Sequence, residues 1–312
     1  MPLPEEVPAS AEPAAPQKEP FFYGGQAVIE GVMMRGRRHY AVAVRMPRTN
    51  EIRVDRGELR SGLYRHPFWK LPFVRGLALL AEQVHLGMKT LIWSANMHAY
   101  GQEIEMGRKE MAISVGAAAI FGVALFIGLP LLGAGFAVHR SGSFLFVVVE
   151  GVIRVVLVLG YLTLIGFLPD VRRVFQYHAS EHKTINAFES GWPLEPPAVK
   201  RASNLHPRCG TGFLLVVLVV SVLVFSVVAI GHPNWFWLIV SRILGVPVIA
   251  GLSFEWIRFM ARHRGNPVVE AMLLPVLGTQ KFTTREPDLD QIAVAIAAFN
   301  AAREGEEGVE AA

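Results

Sequence analysis

The chain has 312 residues, 52% of them hydrophobic and only 18% charged, with a formal net charge of +4 at pH 7. Ordinary globular domains carry about 25% charged residues, and a mean hydropathy of +0.36 excludes a disordered chain and argues against a wholly soluble one. The single cysteine, Cys209, excludes an intramolecular disulfide framework.

Residues 1–20 contain six prolines and no apolar periodicity. They read as a disordered tail, and without a basic start or an apolar stretch they do not form a signal peptide. From Phe21 to Gly57, glycines 24, 25, 31 and 36 punctuate short alternating runs such as Tyr40–Arg45, with a turn signal at Pro47–Asn50. A small β-hairpin unit is expected there. Phe68–Met97 has apolar residues at helical spacing, interrupted by Arg75, Glu82, His85 and Lys89 and flanked by Trp69 and Trp93. It reads as an interfacial amphipathic helix, ahead of a re-entrant or spanning helix and of a soluble core helix. Residues 21–110 thus form a cytoplasmic β unit plus this helix.

Four stretches are long and apolar enough to cross a bilayer: Met111–Val138, Ser143–Leu168 (with Glu150 and Arg154), Gly210–Ile230, and Trp235–Ile257 (with Arg242 and Glu255). They pair into hairpins over 111–168 and 210–257. Lys and Arg number fifteen in residues 1–110, six in 169–209 and six in 258–312, whereas the short loops 139–142 and 231–234 hold Arg140 alone. This bias places both termini and the 169–209 loop in the cytoplasm. The fold class is a mainly α, polytopic membrane protein with four transmembrane helices, a small N-terminal β unit and cytoplasmic helices. In 258–312 a helix is expected near Pro267–Leu274. A second begins near Pro287, with Asp288 and Asp290 in its first turn.

The chemistry concentrates in Val174–Gly191, a helix stopped by Gly191 and a proline cluster. His178, Glu181 and His182 fall on one stripe, with the two histidines a turn apart. H-x-x-E-H is the inverted form of the zinc-hydrolase motif, in which histidines bind the metal and the glutamate acts as base. A catalytic zinc needs a third protein ligand. Glu189 lies seven residues past His182, about 10 Å along a helix, which leaves His206 or Cys209 in HPRCG, or Glu30, as candidates. A purely structural polar cluster is the competing reading. Glu150 and Arg154, at i and i+4 inside the second span, form an ion pair that Arg242 could join; a proton or substrate path is the alternative. The glycines match no phosphate or dinucleotide fingerprint and read as tight turns. No basic–aromatic stripe accompanies the positive charge, so nucleic acid is not an expected partner.

The four ordered motifs GGQAVIEGVMMRG, YHASEHKTINAFE, HPRCGTGFL and KFTTREPDLDQIAVAI resemble those of the YqhQ-like bacterial membrane proteins, an uncharacterised family labelled "predicted metal-dependent enzyme". The resemblance runs from Phe22 to Phe299. It implies a polytopic protein whose family motifs are carried here by His178, Glu181, His182, His206 and Cys209. The expected function is a metal-dependent protein of the bacterial inner membrane, as a hydrolase at the cytoplasmic face. Zinc or another divalent transition metal would be held by His178, His182 and His206 or Cys209, with Glu181 as general base. The alternative is a non-enzymatic scaffold docking a protein partner at that face; a transporter trails both.

Overall fold

The computed structural model describes residues 23–59, 67–100, 108–138, 143–230, 234–263 and 265–310. The expected tail at 1–20 and the loop residues 139–142 and 231–233 lie outside them. Among the described residues the chain is mainly helical, with four helices long and apolar enough to cross a membrane and one small N-terminal sheet.

The N-terminal unit is larger than a hairpin. Strands β1 (Gly24–Val28), β2 (Gly31–Arg35), β3 (His39–Arg45) and β4 (Ile52–Glu58) form an antiparallel meander in the order 1-2-3-4. Helix α1 spans Val74–Tyr100, α5 Pro169–Glu189, α6 Pro196–Lys200, and α10 Leu289–Glu310. Tyr40, Val42 and Val44 turn to one face of the sheet, with Leu86 of α1. Ala41 and Ala43 turn to the other, against Val294, Ala298 and Phe299 of α10 and Tyr177 of α5. Small side chains on both partners let α10 come close. Both faces of β3 are therefore buried, which alternation alone did not reveal. Its ends are tied as well: Glu306 accepts the N–H groups of Arg38 and His39, at 2.6 and 2.8 Å, and Arg45 donates to the Asp290 carbonyl at 2.8 Å. Asp288 and Gln291 bond reciprocally, side chain to backbone, so Asp288 caps α10 in a capping box rather than sitting in its first turn.

The charges interrupting α1 have partners: Arg75 pairs with Glu255, Glu82 with Arg35, and Lys89 bonds the Tyr40 hydroxyl. Glu255 belongs to the fourth span, so α1 is stitched to that span at its start and to the sheet along the rest.

The first span is α2 (Arg108–Val123) and α3 (Leu129–Ala137) joined by a π-helical turn at Ala124–Gly128. The others are α4 (Phe144–Ile165), α7 (Gly210–Ala229) and α8 (Trp235–Arg262). Glu150, Arg154 and Arg242 meet inside this bundle, exposed by 1%, 7% and 1%. Glu150 accepts from Arg154 at 2.5 Å and from Arg242 through both carboxylate oxygens. The π turn places the Phe126 carbonyl 2.9 Å from Arg154 Nε. The Phe225 ring lies under both guanidiniums. Helix α9 (Pro267–Thr283) runs two turns beyond the expected Leu274 and packs Val269, Leu273 and Val276 on α7 and its neighbours.

Glu30, in the two-residue turn between β1 and β2 with φ 52°, anchors α5. It receives two hydrogen bonds from Arg173, each 2.5 Å, and one from Tyr177 at 3.3 Å. Burial alone would raise its carboxyl, but the hydrogen bond and charge of Arg173 outweigh burial, aided by Tyr177 and His98, and hold it below its usual range. A carboxylate with a depressed folded pKa stabilises fully above its unfolded value, about 4.3, and loses that contribution as pH falls through the folded one. Hydrogen-exchange protection of the β1–β2 turn and the start of α5, taken relative to the intrinsic rate at each pH, should therefore fall below about pH 4. In Glu30→Gln it should already be lower at neutral pH and lack that acid limb; an unaltered acid limb would refute the assignment.

Candidate metal centre

Helix α5 opens with Pro169 in its first turn and closes where Gly191 takes φ +70°. Between them two polar stripes face inward. The first carries His178, Glu181 and His182. The second, Lys183 and Asn186, went unnoticed in the sequence because both read as solvent-facing. Lys183 donates to the carbonyls of Lys200 and Ala202, at 2.7 and 2.8 Å, and Asn186 to those of Ser203 and Leu205, at 2.8 and 3.0 Å. These bonds satisfy the backbone of an irregular segment packed against the helix and fix the course of the chain into HPRC.

The His178 Nδ1 lies 2.9 Å from the Thr283 carbonyl, at the end of α9. The His182 Nδ1 lies 2.5 Å from the Asn204 carbonyl. A carbonyl only accepts, so each Nδ1 carries the proton, and the neutral ring presents a lone pair at Nε2. The His178 Nε2 sits 3.1 Å from Cys209 Sγ. The His182 Nε2 is buried and has no hydrogen-bond partner among the described residues. The two ring centroids are 4.4 Å apart, and the ligand atoms of His178, His182 and Cys209 lie within 4.8 Å of one another.

Metal-binding histidines commonly donate their second nitrogen to a carbonyl, which fixes tautomer and ring orientation. Both histidines do so here. Imidazole and thiolate are donors suited to zinc, and an orphaned buried Nε2 is costly unless something meets its lone pair. The residues present fit a metal of that class.

Cys209 caps α7, accepting from the Thr211 N–H at 3.4 Å. His206 is not part of the triad. Its ring packs on His182 at 5.6 Å, but its Nε2 lies 3.2 Å from Arg208, which can only donate. Gln280, fully buried, clamps the His206 backbone in both directions at 2.8 and 2.7 Å. Glu189 pairs with Arg208, and Glu30 sits on Arg173, so neither joins the cluster.

Glu181 is 5% exposed and lines, with His178 and Cys209, a cavity of about 860 Å³ between β1, α1, α5 and the start of α7. Burial pushes its carboxyl up to about 7, against the neighbouring His178 ring and the Gly25 backbone N–H, which pull it down. Gly25 is not a turn residue. A Cβ there would stand 2.8 Å from Glu181 Cγ and 2.7 Å from the Met33 carbonyl oxygen, so its role is the close approach of β1 to Glu181.

A family model described as "Protein of unknown function (DUF1385)" matches residues 71–305, a stretch holding the histidine pair, Cys209 and all four spans. The chain is 31% identical over 307 residues to "Uncharacterized protein YqhQ" of Bacillus subtilis (strain 168), covering 91% of this chain and 92% of that protein. No solved structure matches. With two candidate spans on either side of one motif-bearing helix in the sequence, and that likeness along nearly its whole length, the chain belongs to the DUF1385 family of YqhQ-like membrane proteins.

Proposed function

We propose that this protein is a metal-dependent hydrolase of the bacterial inner membrane, working at the cytoplasmic face. The observation that carries the reading is the buried, unpartnered Nε2 of His182, in a cluster whose His178, His182 and Cys209 ligand atoms lie within 4.8 Å of one another. His178, His182 and Cys209 would hold a zinc-like divalent ion, which supplies Lewis acidity toward a substrate oxygen. Thr283 and Asn204 keep the two imidazoles in register through their carbonyls. Glu181, sheltered behind Gly25 and facing the cavity, takes the proton of the attacking water as general base. The cavity walls orient the substrate. Elemental analysis of detergent-purified protein should find about one such ion per chain, as in other single-zinc sites. Metal well below that level, whatever the purification, would remove the enzyme reading and favour a partner-docking scaffold.

The packing of β1–β4, α5 and α10 into one body supports a topology in which residues 24–58, 169–189 and 289–310 share one side of the membrane. The basic flanks make that side the cytoplasm. A reporter fused after Gly191 should therefore be cytoplasmic, and one inserted at Gly142 periplasmic. The reverse pattern would invert the site's compartment.

A further inference from the structure

We propose that the cavity beside the histidine pair binds a diacyl membrane lipid drawn from the adjoining leaflet; this rests on reading that cavity as the substrate site. Its walls straddle two media. Gly210 and Thr211, the first residues of the third span, and Phe254, near the end of the fourth, line one side, while β1 residues Gly24–Ala27 line another. A volume of about 860 Å³ lies near the upper end of small-molecule sites and takes a headgroup with the first part of its chains. Apolar Leu79, Val174 and Phe254 share the lining with Gln26 and Gln83, the mixed chemistry an amphiphile needs.

Two helices carry the lipid-facing surface of the spans up to this cavity. The N–H of Phe73, just before α1, donates to Glu255 of α8 at 3.0 Å, and α1 lays Gly76 against Phe254. On its outer side α1 and the turn before it expose Phe68, Leu71 and Val84, by 50%, 50% and 57%. Helix α9 is apolar on every side between Val268 and Leu277 apart from Glu270. Val269, Leu273 and Val276 face α7, while Val268, Met272 and Leu274 point away, exposed by 66%, 39% and 68%. A helix that is hydrophobic all round does not lie in water. Its inward stripe continues through Gln280 to Thr283, whose carbonyl orients His178. The exposed apolar surface of the spans therefore extends over α1 and α9, two helices that reach the cavity through Leu79 and Thr283.

The test uses the full chain, treated with chelator, in nanodiscs doped with a phosphatidylglycerol carrying a diazirine near the glycerol end of one acyl chain. After irradiation, adducts should map to Gly24–Ala27, Leu79 and Gln83, cavity positions apart from the outer faces of the spans. Leu79→Trp and Val174→Trp, filling the cavity from α1 and from α5, should each lower those adducts about tenfold, whereas Val84→Trp on the exposed face of α1 should not. Wild-type adducts confined to the outer faces of α4, α7 and α8 would overturn the proposal, whether or not either filled variant folds. Because labelling is read without metal, the two readings fail separately. Cavity adducts on a protein that never binds metal uphold lipid binding alone. Metal binding without cavity adducts overturns it.

Discussion

His182→Ala should abolish metal binding outright. His182 contributes the orphaned Nε2, and its loss would leave two donors, His178 and Cys209, where a closed structural site uses four and a catalytic one three. His178→Ala should give the same result. Cys209→Ser should weaken binding sharply, by at least about a hundredfold, because a hydroxyl is a far poorer donor to zinc than a thiolate. His206→Ala should change occupancy only slightly, since its Nε2 is already turned to Arg208. Glu181→Gln should keep the ion and remove activity, the amide matching the carboxylate in shape but taking no proton. Elemental analysis of the five purified variants separates these outcomes. Equal loss in His206→Ala and Cys209→Ser would show that the site closes differently. Retention of metal in both His178→Ala and His182→Ala would remove the site altogether.

The second large effect lies in the membrane. Glu150 serves two guanidiniums, so the three groups carry one net positive charge, and the cost of removal is asymmetric. Glu150→Gln strands both arginines and should cost about 3–5 kcal/mol, the penalty for breaking a buried ion pair, in a medium that raises it further. Arg154→Met or Arg242→Met leaves one neutral pair and should be much milder. The i, i+4 spacing suggests that replacing Glu150 and Arg154 together is benign. The arrival of Arg242 reverses that expectation, because the double change isolates an arginine that is 1% exposed. Only Glu150→Leu, Arg154→Met and Arg242→Met combined should recover folded protein. Thermal unfolding in detergent reads the order; equal losses for Glu150→Gln and Arg154→Met would argue against a shared carboxylate.

The spans were legible because a bilayer demands about twenty predominantly apolar residues in a row, and Gly210–Ala229 is such a run without a single charge. The α5 helix was legible for a similar local reason, a 3.6-residue stripe between clear stop signals. What escaped was non-local. The double burial of β3 depends on α10, about 250 residues later in the chain, and Ala41 or Ala43 gives no hint of it. The choice between His206 and Cys209 depends on where a ring nitrogen points, and Arg208 decides that after the chain has turned. Gln280 and Thr283 hold the site from a helix whose sequence shows only an apolar face. Gly25 was visible, but as a turn signal, since a close approach has two partners and a sequence displays one.

The dependence of the sheet on α10 also has a consequence in time. At typical rates of synthesis, roughly 10 to 50 seconds separate the emergence of Glu58 from that of Leu289. Through that interval the β3 face bearing Ala41 and Ala43 has no α10 to cover it, while all four spans are handed to the insertion machinery. The nascent chain must hold an unfinished sheet at the membrane surface until its last helix leaves the ribosome. A message cut short before codon 289 would yield a membrane-inserted product whose sheet can never close, a natural substrate for quality-control proteolysis.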